Sequence, residues 1–321
     1  MVNVGWVGNY RRSGKNFGQA YRICKANDWN LLIAGGLDSG LYVEHTEMPN
    51  FYNDCDVLLV TSVYEAHPLV VYEALAMGVP VVIGKWVGDC FRNNVMGIVY
   101  YDNVDSDENI TNAVNAALQY KDELSESGMN CIQSNWTWEN VAQQYLSMFQ
   151  RLTDKEKPHI TFITDMLEWS WGHMANEIKK HVYPNITIRA LNEKPPQSLA
   201  KEKWEKTDLI LNHPWQIIHG LGLLENIPQD KHVLCVNGPA FLNPIYGEAW
   251  KANLDSCRAI TSVSLNIIDR LRFTGKPLFY ATRAVNVNLF KPTLNKEYKY
   301  YLNQQEETVK DRLSKLGVME G

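Results

Sequence analysis

The chain has 321 residues and a formal net charge of -5 with no basic block, so it is long enough for two domains and no nucleic-acid partner is expected. Hydrophobic residues make up 45% of it, as in a globular protein, and no apolar run is long enough to predict a transmembrane segment. The six cysteines are scattered without a CxxC pair, and the start MVNVGWVGNYRR lacks a secretory apolar core; together these predict reduced thiols, a cytoplasmic location and no metal cluster.

In chain order, residues 2–7 read as a buried strand ending at Gly8. A polar loop over 9–16 leads into a helix over 17–27, and 31–34 is a second strand stopped by Gly35 and Gly36. DVLLVTS places a third strand over 57–61. A helix follows over 68–77, with Pro68 at its first position and Gly78 as its stop, and then a strand over 79–83. Residues 107–118 read as helical. Thr137 caps a last helix of this block, with Val141, Tyr145, Met148 and Phe149 on one face. The charged stretch TDKEKP, 153–158, reads as a linker between a domain over 1–152 and another over 158–321.

The second block begins with a strand over 159–164, a loop over 165–172 and a helix over 173–181. Short strands follow at 186–190, 208–211, 233–236, 259–262 and 278–281, with a helix over 264–273. Beyond Pro292 the chain is polar and reads as a solvated helix or frayed tail. The alternation predicts an α/β fold of two Rossmann-like, doubly wound parallel sheets.

The stretch VLLVTSVYEAHPLVVYEALAMGVPVV, 57–82, carries the chemistry. A buried strand ends in a loop presenting Glu65, and the following helix carries Glu73, in an E-x7-E pattern. A helix N-terminus between the two suits a diphosphate, and ionised carboxylates accept hydrogen bonds from sugar hydroxyls. On spacing alone, a capped helix with two solvated glutamates is the commoner arrangement.

The wider pattern, Glu65, Glu73, Ala74, Ala76, Gly78, Pro80, Val81 and Val82, resembles the donor domain of retaining GT-B glycosyltransferases, the large family 4 group. The resemblance extends back through YNDCDVLLVTS to LLIAGG and WVGN, and forward to MGIVYYD and WTWENVAQQYLSMF. It implies that Glu73 holds the ribose hydroxyls and that Glu65 contacts the transferred sugar as a catalytic residue. It also implies that the backbone of His67, Pro68, Leu69 and Val70 faces sugar and phosphates. The family's Arg and Lys after the first strand grip the diphosphate; here Gly8 is followed by Asn9 at the Arg position, Lys15 fits the Lys position, and Arg11 or Arg12 stands in for the missing cation. The span from Ala34 to Val57 is short for the family and leaves out its usual helix.

The second block resembles the family's acceptor domain through TDLILNHPWQ, AITSVSLNIIDRL and VNVNLFKP, the last being like the segment just before the donor domain. Where the family often has a cleft histidine, VLCVNGP has Asn237, which leaves His213 as the candidate catalytic contact against the plainer reading of a satisfied or solvated histidine. In WSWGHM, Trp171, Gly172 and His173 are candidates for acceptor binding, with core packing equally compatible with the rings. The donor-like block precedes the acceptor-like one, the reverse of the family order. A circularly permuted enzyme with one cleft, or a segment of a tandem protein, would each explain that. The expected function is transfer of a hexose from a nucleoside diphosphate sugar, UDP- or GDP-linked, to a glycan, lipid or small-molecule hydroxyl, with retention and no cofactor. A degenerate sugar-nucleotide or glycan binding module is the alternative, motivated by Asn9 and Asn237.

Overall fold

The computed structural model describes residues 1–35, 42–65, 67–88, 90–91, 95–167, 170–182, 185–193, 198–199, 203–236 and 244–292. Asn237 and the tail after 292 lie outside them.

The apolar runs of the first block become parallel strands: β1 (Asn3–Val7), β2 (Asn30–Ala34), β3 (Val57–Val60), β4 (Val81–Gly84) and β5 (Ile98–Tyr101). They form one sheet in the order β2-β1-β3-β4-β5. β3 and β4 are buried along their whole length, as strands covered on both faces must be. The connecting helices are α1 (Phe17–Ala26), α2 (Met48–Asn53), α3 (Leu69–Ala76), α4 (Lys85–Gly88), α5 (Asp107–Gln119) and α6 (Lys121–Asn135). Trp6, Phe17, Ile23, Val57, Leu59, Val82, Ile110 and Val114 share one core layer.

Three departures from expectation have local causes. Pro68 is the N-cap of α3 rather than its first residue: its ψ of 113° is extended, while its carbonyl accepts the Val71 N–H at 3.2 Å. The span between β2 and β3 does hold a helix, but only the six-residue α2. α6 gave no periodic signal because it buries only Gly128 and Ile132. Gly97 explains how α6 fits so closely: at φ 84°, a Cβ there would stand 2.8 Å from the Leu124 carbonyl and 2.9 Å from the Gly128 Cα.

The next helix, α7 (Trp138–Thr153), is capped by Thr137 as expected, the hydroxyl accepting the Asn140 N–H at 3.3 Å. Its buried face packs with the second block: Phe149 meets Phe162 edge-on at 6.2 Å, and the Tyr145 hydroxyl donates to the Ala281 carbonyl at 2.9 Å. The chain accordingly divides into unit 1, Met1–Asn135 with Val285–Gly321, and unit 2, Trp136–Ala284. The divisions fall before α7 and after Ala284 rather than at the 153–158 linker, because the apolar stripe of α7 finds its partners beyond that linker. Unit 1 is thus discontinuous in sequence.

Unit 2 holds β6 (Ile160–Thr164), β7 (Ile186–Ala190), β8 (Leu209–Asn212), β9 (His232–Cys235), β10 (Ala259–Ser262) and β11 (Leu278–Tyr280). They form a second all-parallel sheet, ordered β11-β10-β9-β8-β6-β7. Its α-helices are α7, α8 (Ser170–His181), α9 (Trp215–Gly220), α10 (Gly247–Ser256) and α11 (Leu265–Arg270). α8 starts earlier than the sequence implies, so Trp171 and Gly172 lie in its first turn instead of a loop, together with His173. Both sheets with their alternating helices make the chain α/β, with two Rossmann-like parallel units. No helix among the described residues is long and apolar enough to cross a membrane.

A polar network runs through the unit 2 interior. Asn212 on β8 donates to the Asn253 side-chain Oδ1 on α10 at 3.1 Å and lies 3.3 Å from His232 Nε2 on β9; His232 Nδ1 faces the Ser256 hydroxyl at 3.1 Å. Asn253 donates to the Trp215 and Ala249 carbonyls at 3.3 and 2.8 Å. Burial lowers the pKa of His232 from 6.5 to about 4, so the ring is neutral in the folded unit. A depressed folded pKa contributes stability that is complete above the unfolded value and lost as pH falls through the folded one. Unit 2 should therefore lose about 2 kcal/mol through this residue between pH 7 and pH 5. Circular dichroism melts at the two pH values should show the lower midpoint at pH 5, and His232→Gln should reduce that difference by about half, the remainder coming from the other buried histidine of this unit, His213.

Candidate functional site

In a parallel sheet ordered β2-β1-β3-β4-β5, the chain leaves β1 toward one side and β3 toward the other. The carboxyl ends of these two strands therefore flank a crevice, the usual ligand position in open α/β sheets. The two loops that open there, 8–16 and 61–68, hold the sequence-predicted residues of the donor-like block apart from those on α3. They are fastened to each other at the base. The Trp6 indole N–H donates to the Thr61 hydroxyl at 3.0 Å, and that hydroxyl donates to the Lys15 carbonyl at 2.9 Å. The Val63 N–H reaches the Gly14 carbonyl at 2.9 Å.

This fastening brings Lys15 and Glu65 together in direct ion-pair contact, both side chains being largely buried. The Ser62 hydroxyl donates to the same carboxylate at 2.9 Å. Gly8 ends β1, its N–H bonded to the Ala34 carbonyl at 2.9 Å. Asn9 shapes the turn: its side chain accepts the Arg11 N–H and its carbonyl the Arg12 N–H, both at 3.0 Å. Arg11 and Arg12 are exposed, and the Arg11 guanidinium lies 5.8 Å from the centre of the Tyr10 ring. His67 turns its ring inward, 3.1 Å from the Tyr72 hydroxyl and against Phe91. Pro68, Leu69 and Val70 then form the start of α3, where the helix dipole is positive.

Glu73 sits elsewhere, buried on α3, where it accepts the Tyr52 hydroxyl of α2 at 2.8 Å and faces His45 Nε2 at 3.4 Å. The hydrogen bond to Glu73 raises the His45 pKa above 6.5 despite burial, and burial together with the Glu73 charge pushes Tyr52 well above 10. Phe290, in the returning segment of unit 1, meets the rings of both His45 and Tyr52, at 5.4 and 6.1 Å. Tyr52, His45 and Phe290 were not singled out from sequence. Tyr52 and Phe290 lie in YNDCDVLLVTS and VNVNLFKP, two of the stretches that carry the resemblance, so a signal existed. His45 has no such marker.

In unit 2 the strand order turns at β6 and β8, and the other candidates cluster there. His213, just after β8, stacks on Trp171 at the start of α8, with ring centres 4.3 Å apart and planes 25° apart. The Arg283 guanidinium lies 5.8 Å from the Trp171 ring. Burial and the Arg283 charge lower the His213 pKa to about 3, so it is a neutral imidazole and a weak base. Gly172 is buried against the backbone of Met166 and Leu167, and the exposed His173 turns its ring to Trp138 at 6.3 Å; neither stands with Trp171 beside His213. No cluster of metal-ligating side chains occurs among the described residues.

Residues 25–133 match the family model described as Glycosyl transferases group 1, a span that includes both Glu65 and Glu73. Over 114 residues it is 32% identical to the lipopolysaccharide 1,2-N-acetylglucosaminetransferase of Salmonella typhimurium, covering 34% of this chain and 30% of that one. It is 26% identical over 112 residues to an uncharacterized glycosyltransferase of Methanocaldococcus jannaschii, covering 34% and 29%. The chain thus spans under a third of the length of these two curated relatives. Among solved structures, the C-terminal domain of a glycosyl transferase group 1 family protein from Francisella tularensis aligns at 17% identity with a TM-score of 0.34, covering 41% of this chain and 85% of that one.

Thr61 is the joint on which the crevice depends, since its hydroxyl is bonded on both sides. Thr61→Val should leave the Trp6 donor and the Lys15 carbonyl unsatisfied and lower the unfolding free energy of unit 1 by about 1–3 kcal/mol. Urea denaturation checks the magnitude, and faster amide exchange at Val63 would report the loosened loop.

Proposed function

We propose that this protein is a retaining glycosyltransferase of the family 4 type that moves a hexose from a UDP- or GDP-linked sugar to an acceptor hydroxyl. The observation that carries the reading is the meeting of Lys15 and Glu65 where β1 and β3 diverge, beside the N-terminus of the helix that bears Glu73. Lys15, the start of α3 and an exposed Arg11 or Arg12 supply positive charge for the departing diphosphate. Glu73 accepts hydrogen bonds from the ribose, and Glu65 accepts one from the transferred sugar. The bond from the anomeric carbon to the diphosphate oxygen breaks, and a bond to the acceptor oxygen forms on the same face. The acceptor proton passes to the departing diphosphate. No cofactor is needed, and the reaction belongs in the cytoplasm.

Unit 2 takes the acceptor role in this reading. Trp171 offers a face for stacking, and His213 offers a neutral ring nitrogen to an acceptor hydroxyl rather than acting as a proton acceptor. The acceptor is a glycan, lipid or small molecule. Gly172 and His173 contribute by shaping the start of α8. The alternative is a binding module without turnover, favoured by the uncharged Asn9 where the family has an arginine. A part of a tandem transferase is a further form of the same reading, in keeping with the share of the relatives that the chain spans.

A nucleoside diphosphate release assay over donor and acceptor panels tests the proposal. Glu73→Ala should raise the donor KM by about 10-fold or more, the loss of hydrogen bonds to a charged acceptor. Thermal stabilisation by a sugar nucleotide without release or transfer would select the binding module, and neither stabilisation nor release would remove both readings.

A further inference from the structure

The Glu73 carboxylate is held at both oxygens before any ligand arrives. Oε2 accepts the Tyr52 hydroxyl at 2.8 Å, and Oε1 faces His45 Nε2 at 3.4 Å. Each carboxylate oxygen has two acceptor directions, so one on each oxygen is left for a ligand. Two acceptors at fixed spacing match a vicinal diol. A glutamate's last torsion is otherwise broad, and a carboxylate held at one end only would swing away from that match. The two holders differ in kind. Tyr52 is wholly buried, a fixed part of the core, whereas the His45 side chain is 52% exposed and comes from the turn ahead of α2. Its ring is braced from outside the turn by Phe290, which is 2% exposed and comes from the returning segment of unit 1.

We propose that His45, braced by Phe290, is a positioning residue that orients Glu73 toward the vicinal hydroxyls of the donor ribose. The inference rests on the reading of Glu73 as the ribose-binding carboxylate. His45 does not touch the reacting atoms; it fixes which way the acceptor oxygens point. The raised pKa of His45 agrees with a ring that donates to the Glu73 carboxyl group.

The test is isothermal titration of the full chain with UDP and GDP and with their 2′-deoxy counterparts. The wild type should bind the better of the two ribonucleotides about 10-fold more tightly than its deoxy form, and Glu73→Ala should remove that preference. His45→Ala should bring the ratio close to one. His45→Phe, which keeps a ring against Phe290 but has no donor, should do the same, while His45→Gln, which keeps a donor, should restore most of the preference. A merely structural role for His45 would weaken ribo and deoxy forms alike and leave the ratio unchanged. A wild-type ratio in His45→Ala, with the ratio lost in Glu73→Ala, overturns the role of His45 alone. No nucleotide binding by the wild type, or a ratio unaffected by Glu73→Ala, overturns the ribose reading and this inference with it.

Discussion

Where β1 and β3 part, the sheet cannot cover its own edge. The chain leaving β1 crosses to one side and the chain leaving β3 to the other, so the loops at their carboxyl ends must be joined by something other than the backbone ladder. A threonine hydroxyl makes the side-chain part of the join, accepting from Trp6 and donating to the Lys15 carbonyl, beside the backbone bond from Val63 to Gly14. The placement of Lys15 against Glu65 follows from it, because the Lys15 carbonyl is tied to the same strand end that presents the glutamate. The second sheet repeats the geometry with different chemistry. There the turn in strand order brings together a tryptophan, a neutral histidine and an arginine rather than an ion pair.

The carboxylates of unit 1 are held in two different ways. Glu65 is matched by a lysine, so under the proposed reading a diphosphate entering the crevice would compete with a carboxylate already present instead of meeting a bare cation. Glu73 is buried with a phenol donating to one of its oxygens and an imidazole facing the other. The two glutamates of the E-x7-E pattern are therefore not equivalent: one is held by a charge, the other by oriented hydrogen-bond donors.

Much of this was legible in the sequence, and the reasons for the rest are physical. The strands of both sheets other than β5 are short apolar runs bounded by glycine or polar residues, and their existence follows from that pattern with ends displaced by a residue or two; β5, IVYY, is only partly buried and gave no such signal. α6 escaped notice because packing on Leu75 needs a glycine and one isoleucine, not an apolar stripe. α7 was legible as a helix, but its allegiance was not, since periodicity shows that a face is buried without saying against what. Lys15 and Glu65 were both singled out, whereas their contact depends on Thr61, whose hydroxyl is unremarkable in a strand-end VTS. Trp171 and His213 were named for separate reasons, and only the strand order places them face to face. His45 was invisible because a lone histidine in a polar stretch carries no spacing.

The discontinuity of unit 1 also orders the protein's assembly in time. Synthesis from the N-terminus delivers all five strands of the first sheet, and His45, Tyr52 and Glu73, long before Phe290. Every strand of unit 2 is made in between. The entropic charge for closing so wide a loop grows only with the logarithm of its length, so the arrangement costs the finished fold little. The burden is kinetic, since contacts so far apart in sequence form late. The ring that covers His45 and Tyr52 thus arrives only after the strands of both sheets, and the carboxylate beneath them reaches its final setting well after its own sheet has been made.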